Sequence, residues 1–386
     1  MKSLADYGSV RGVCYGWRGG KTIVERDLGY ARRLGINSTR IWLDYRALLA
    51  DPAGYVSQVV NYVRMAWSFG ISTMPILWNG NMIDPAILKP DYRVSAERYM
   101  SAIIAALKDE PGLLMWDIMN EPTCNDYMRK ATASEKPERD AAMWGFVRHG
   151  CQFVKGADPV NAITVGNTFI EDTEPTVDLV DVISFHDYLE TRKRVNATYD
   201  HAEDLARRHH KPLINSELAC LCRANPYDMA LEICESRHVG WYLFELMVHD
   251  YWGDVHGIVY PDGTVRDPAI VAAIMGFHRN RNVTTRIKPN PNKEGNVAVA
   301  LDLVENALKD DTTLFLNKKK TSDDVLEAAE FCANLLEGSE MVPMYDPPSA
   351  RILAWRRQPE AERDLDAISS FTYDLAMTLK KCCRIF

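Results

Sequence analysis

Nowhere in its 386 residues does the chain hold the ~18 consecutive apolar residues that a membrane-spanning helix needs. Its first residues, MKSLADYGSVRG, lack the apolar core of a secretory signal, so a cytoplasmic location is expected. Nine cysteines are present, an odd number without framework spacing, and in that compartment they read as reduced thiols. Basic residues are also few: 45 Lys and Arg against 53 Asp and Glu give a net charge of -8. That balance removes the basic surface behind most nucleic-acid affinity and suits a neutral substrate, which needs no field to steer it. No G-x-G-x-x-G follows the first apolar run, which argues against a dinucleotide site. No His-x-His ends that run, and Cys220 and Cys222 have no partners at zinc spacing, so neither metal nor cofactor is expected. The last four residues, Cys383-Arg384-Ile385-Phe386, fit the loose prenylation form behind Lys380 and Lys381. Arg384 stands where an aliphatic residue is usual, and a chance match is the better account.

What is present is the composition of a soluble globular protein, 47% hydrophobic and 25% charged, enough for a sizeable core. Over the first ~280 residues short apolar runs alternate with stretches of helical period, the pattern of βα units around a parallel sheet. Eight runs read as strands: 11–16, 37–43, 71–78, 113–119, 162–166, 180–185, 212–217 and 239–245. They are continuously apolar rather than alternating, as strands covered on both faces are. Helices are expected at 94–109, with Ser95 as N-cap, at 139–156 and at 267–279. Residues 256–268, with Pro261-Asp262-Gly263, read as a turn-bearing loop. Eight units and then a stop favour closure into a (β/α)8 barrel over residues 1–282. The polar stretch 279–296 reads as a linker, and the remainder of 283–386 as mostly helical, at about 296–309, 322–337 and 360–382. That C-terminal region could support a homo-oligomer.

Catalytic groups of such barrels stand at the C-terminal ends of strands. Strand 4 runs into Asn120-Glu121-Pro122 and strand 7 into Glu217, so two acids end apolar runs, where an unpaired carboxylate costs several kcal/mol. Either alone reads equally well as a salt-bridge partner or helix cap. Together, from strands facing each other across the mouth, they form a pair suited to splitting a glycosidic bond: one protonates the leaving group while the other attacks.

The segment WDIMNEP resembles the strand-4 signature of clan A glycoside hydrolases, the group with catalytic glutamates after strands 4 and 7, and is similar to family 5 and to the catalytic barrel of family 2. The resemblance covers about residues 8 to 280. It implies Glu121 as general acid/base, titrating high, and Glu217 as nucleophile, held as the carboxylate by Arg40 of strand 2 and by Tyr188. Asn120 then binds the sugar 2-hydroxyl, and His186, in SFHDY, contacts the acid/base or substrate. Two positions depart from the pattern. Trp78 and Asn79 stand where many family 5 members have histidine. Phe244 stands where a tryptophan follows strand 8, with Trp241 three residues earlier. Trp17, Trp42, Trp78 and Trp252 are candidate stacking platforms, each equally suited to core packing. Asp44 either binds hydroxyls of a terminal sugar or caps the next helix; His209 and His210 read as a solvated helix end. The expectation is a retaining, exo-acting β-glycosidase for gluco-, manno- or galacto-configured oligosaccharides. The alternative is a non-catalytic carbohydrate-binding or scaffold protein.

Overall fold

The computed structural model describes residues 4, 6–17, 20–220, 223, 225–278, 295–309, 320–336 and 347–383. The chain divides into two compact units, residues 1–271 and 272–386. In the first unit, strands β1 (Arg11–Cys14), β2 (Ser38–Trp42), β3 (Ser72–Asn79), β4 (Trp116–Asn120), β5 (Ile163–Gly166), β6 (Ile183–Asp187), β7 (Leu213–Leu218) and β8 (Gly240–Leu243) alternate with helices. They pair in parallel in the order β5-β4-β3-β2-β1-β8-β7-β6. The seam between β5 and β6 is closed by a bridge from Asn167 to Phe185, with the His186 amide donating to the Asn167 carbonyl at 2.9 Å. This is the (β/α)8 barrel expected from the eight apolar runs.

The barrel interior is narrow, and its residues show why. A Cβ on Gly12 would lie 2.1 Å from the Tyr242 ring, so glycine on β1 makes room for the tyrosine on β8. The Tyr242 hydroxyl then meets Ser38 of β2 at 2.7 Å. Outside the strands, helices press apolar side chains such as Leu28, Val63, Ile103, Val147 and Leu205 into the sheet, all at most 1% exposed. Among the described residues no helix is long and apolar enough to cross a membrane.

Boundaries differ by a few residues from those expected at most elements, among them these three. β4 begins at Trp116 rather than 113, because Leu113 makes only an isolated bridge to Thr73. β6 runs to Asp187, which brings His186 into the strand itself. The helix expected from 94 begins at Arg93, directly after a 3-10 turn over Pro90–Tyr92, so Ser95 lies inside its first turn and caps nothing. The second unit contains helices Gly295–Ala307, Ser322–Leu336, Pro348–Arg356 and Leu365–Cys383 around Val304, Leu326, Cys332, Ile352, Ile368 and Leu379. The helix Pro348–Arg356 was not expected from the sequence; of its residues only Ile352 is buried. Most of the expected linker, and the terminal residues of the prenylation match, lie outside the described residues, as does Cys222.

Candidate active site

Strand alternation alone would not gather the polar residues at the barrel mouth. On β6 it serves: Phe185 turns outward onto Tyr199, with ring centres 5.2 Å apart, and His186 turns inward. On β7, Asn215 faces outward and donates to the Tyr199 hydroxyl at 2.8 Å, yet Glu217, two residues on, faces inward. The pairing register shifts between Asn215 and Leu218, and again on β4 between Asp117 and Asn120. Such irregularities at a barrel rim re-aim side chains. They bring Asp117, Asn120, Glu121 and Glu217 toward one point.

Arg40 organises that point. It is fully buried, and its guanidinium donates to Glu217 Oε1 at 2.6 Å, Asp117 Oδ2 at 2.9 Å and Asn120 Oδ1 at 2.8 Å. Burial alone would lower its pKa, but the Asp117 and Glu217 charges more than offset this and raise it. Stripping one partner from so buried a network costs about 3–5 kcal/mol. The other Glu217 oxygen accepts from the Tyr188 hydroxyl at 3.0 Å. Burial first, and then the Glu217 charge, push the Tyr188 phenol well up, so both donors stay protonated.

Glu121 has different company. His186 Nδ1 lies 2.8 Å from its Oε1, and the Asn81 amide donates to its Oε2 at 2.9 Å. His186 Nδ1 is also 3.6 Å from Glu217 Oε2. One oxygen of each carboxyl and this nitrogen all lie within 4.8 Å of one another. Burial pushes the Glu121 carboxyl up, but the His186 bond and charge, Asn81 and Arg40 outweigh it and hold the carboxyl at about 2. This corrects the expectation of a high-titrating Glu121 in the open site: the sequence did not show that an imidazole and an amide would both donate to it.

The backbone at Glu121 is unusual as well. Its φ is +44°, a left-handed conformation that costs a non-glycine residue about 1–3 kcal/mol. Its amide donates to the Gly166 carbonyl at 2.7 Å, and a Cβ on Gly80 would lie 2.4 Å from its carbonyl oxygen. The acid therefore rests on glycines from two neighbouring strand ends.

Of the remaining expected site residues, Asn120 joins the network and also donates to Asn79 at 3.1 Å. Phe244 sits at the mouth, edge-on to Trp42 at 5.7 Å and to Trp252 at 6.4 Å, and its peptide bond to Glu245 is cis. Trp252 is 47% exposed there. Trp17 packs on Tyr62 at 5.3 Å and donates to the Trp42 carbonyl at 3.4 Å. Trp78 faces away from the mouth, wedged between Tyr99 and Phe146 of the covering helices. Trp241 is 1% exposed within the barrel wall. Asp44 caps the helix Tyr45–Ala50, accepting from the Arg46 and Ala47 amides. The His209–His210 segment ends the helix Arg192–His209, with His210 in the left-handed conformation at its C-cap.

Sequence reasoning passed over Asp117, Asn81 and Cys124. Cys124 lies against the acid: burial, then the Glu121 charge, push its thiol up to about 11. On the Asn81 side a cleft of about 670 Å³ opens, lined by Ile83, Tyr127, Arg129 and Arg139 among others.

No family model and no curated protein matches the sequence. Solved structures do. An endo-1,4-β-mannanase from Rhizomucor miehei has TM-score 0.56 and 17% identity over 70% of this chain and 93% of its own. A calcium-binding mutant of β-glucuronidase 2 from Bacteroides uniformis has TM-score 0.54 and 17% identity, over 72% of this chain but only 36% of its own. An endo-β-1,4-mannanase from Thermotoga petrophila has TM-score 0.52 and 14% identity, over 72% and 78%. The shared region is the eight-stranded parallel barrel, so this chain has the (β/α)8 fold seen in these glycoside hydrolases.

Proposed function

We propose that the protein is a retaining β-glycosidase, with Glu217 as nucleophile and Glu121 as general acid/base, acting from the ends of short oligosaccharides of gluco, manno or galacto configuration. The observation that carries the reading is the pair of buried carboxyls within 4.8 Å, each with its own donors. A retaining mechanism calls for a separation of about 5–5.5 Å, whereas inversion needs room for a water between the acids. The neighbours' names, mannanases and a β-glucuronidase, support a β-linked sugar.

In the first step a Glu217 oxygen attacks the anomeric carbon as the glycosidic C–O bond breaks, and the leaving oxygen takes a proton from Glu121. In the second, Glu121 takes a proton from water, water attacks the same carbon, and Glu217 departs as carboxylate. Arg40 and Tyr188 stay in place through both steps and receive the charge when it returns to Glu217. Asn120, anchored by Arg40 and Asn79, is positioned for the 2-hydroxyl.

The depressed Glu121 carboxyl is the observation that favours the second reading, a carbohydrate-binding barrel without turnover. Glu217→Ala separates the two. On aryl β-glycosides it should lower kcat by about 10⁴-fold or more, and azide, attacking from the face Glu217 vacates, should restore turnover as the α-glycosyl azide. Appreciable residual activity without azide rescue would reject Glu217 as nucleophile; inverted product in NMR would reject retention. No release from any aryl glycoside by the native protein would leave the binding reading standing.

A further inference from the structure

Arg223 follows β7 and is exposed, and its guanidinium carbon lies 4.6 Å from the centre of the Tyr188 ring. Tyr188 in turn holds Glu217, so this cation stands one ring away from the attacking carboxyl. Its charge also reaches Cys124, which lies against Glu121, and His256, which packs on Phe244. Arg223 thus stands on the Tyr188 ring, whose hydroxyl holds Glu217, with its charge felt at Cys124 beside Glu121.

Guanidinium groups on the helices that follow β4 and β6 are matched with acids: Arg129 with Asp126 at 3.6 Å, Arg139 with Glu135 at 2.9 Å, Arg192 with Glu232 at 2.6 Å and Arg194 with Glu190 at 2.5 Å. Arg223 has no ion pair and no side-chain hydrogen bond among the described residues. In a chain with eight more acids than bases, an unmatched cation at the mouth is not for want of carboxylates. A planar fork of N–H donors over an aromatic face is suited to a bidentate anion.

We propose that Arg223 recognises an anionic substituent, a carboxylate or a sulfate ester, on the saccharide whose bond lies between Glu121 and Glu217; this rests on the glycosidase reading above. It revises the neutral substrate expected from net charge, because a net charge acts at long range while selection at the mouth is made by one guanidinium at contact.

The test is a panel of aryl β-glycosides in matched pairs: glucuronide against glucoside, galacturonide against galactoside, and the 6-sulfates of both neutral sugars. The full-length protein should turn over at least one anionic member with kcat/KM tenfold or more above its neutral parent. Whether uronide or sulfate wins identifies the anion. In Arg223→Met that ratio should fall about 10- to 100-fold, and in Arg223→Lys, which keeps the charge but not the fork, by less. Loss of the Tyr188 contact alone would lower both members of a pair and leave the ratio unmoved. Should only neutral glycosides be cleaved, or should the ratio survive both substitutions, the Arg223 assignment is overturned while the glycosidase reading stands. Should no glycoside be cleaved, both fall.

Discussion

Asp187 stands on β6 between His186 and Tyr188, and its side chain turns outward, away from both. It is 3% exposed, and its Oδ1 accepts from the Leu189 amide at 2.9 Å. Burial is the dominant influence and raises the carboxyl from 3.8 to about 6; the Leu189 bond and the more distant Arg194 oppose it only in part, since Arg194 is paired with Glu190. The folded protein therefore binds a proton at Asp187 near pH 6, and the unfolded chain binds it only near 3.8. Above pH 6 the native state carries a buried charge, at a cost of about 3 kcal/mol. The cost disappears as pH falls from about 6 to below 4. Asparagine keeps the acceptor oxygen for Leu189 and cannot ionise, though its amide must also be housed. Asp187→Asn should accordingly stabilise the barrel by about 1–3 kcal/mol at pH 8 and by close to nothing at pH 4. Urea unfolding followed by tryptophan emission reports on the barrel, since Trp355 is the only one of the nine tryptophans outside it. A substitution that destabilises at pH 8, or a gain that is equal at both pH values, would refute the reasoning.

Two further outcomes are expected. Gly80→Ala must push its Cβ against the Glu121 and Asn120 carbonyl oxygens, at 2.4 and 2.6 Å, and these are backbone atoms that cannot rotate away; kcat on an aryl glycoside should drop about 100-fold from misplacement of the acid, with the far-UV spectrum unchanged, and a near-native kcat would reject the packing argument. His186→Phe removes the largest influence holding Glu121 down, so its carboxyl, followed by infrared difference spectroscopy against Glu121→Gln, should rise from about 2 to above 4.5; a carboxyl still titrating near 2 would show that Asn81 and Arg40 suffice.

The barrel was legible because its strands are buried on both faces: runs such as ISTMPILW and LLMWDIM, bounded by polar turns, fit little but a sheet covered by helices. The two glutamates were legible because an acid ending such a run is expensive unless it is used or paired. Asp117 carries the same cost but sits inside WDIMNEP, where a sequence offers no way to name its partner; only the register shift beside Asn120 shows that it shares Arg40 with Glu217. Asn81 lies two residues past the strand on a short 3-10 turn, so no periodicity points it at Glu121. Trp78 and Trp42 looked alike as aromatics near strand ends, and the direction each takes separates them: Trp78 lies among helix residues and Trp42 beside Arg40 and Phe244. The left-handed backbone of Glu121 was invisible because sequence flags that conformation through glycine, and here the glycine is Gly80, on the adjoining turn.

The low Glu121 carboxyl is compatible with an acid's role once its partner is counted. A carboxyl oxygen and an imidazole nitrogen 2.8 Å apart must have a proton between them, whichever atom formally owns it. With one proton beyond the neutral imidazole's own N–H, the pair is an imidazolium beside a carboxylate or an imidazole beside a carboxylic acid, and in that state it can supply the proton that a leaving group needs. A sugar filling the mouth displaces water from an acid that is already only 8% exposed, which strengthens the burial contribution that favours neutral Glu121. Glu217 loses its charge to the anomeric carbon at the moment the proton is required. In the second step the logic reverses: with Glu217 bonded to sugar, His186 Nδ1 has only Glu121 as a carboxylate neighbour, and Glu121, left as the carboxylate once its proton has gone to the leaving group, takes a proton from the attacking water. One imidazole set between two carboxyls lets the same residue give a proton in one half of the reaction and take it in the other.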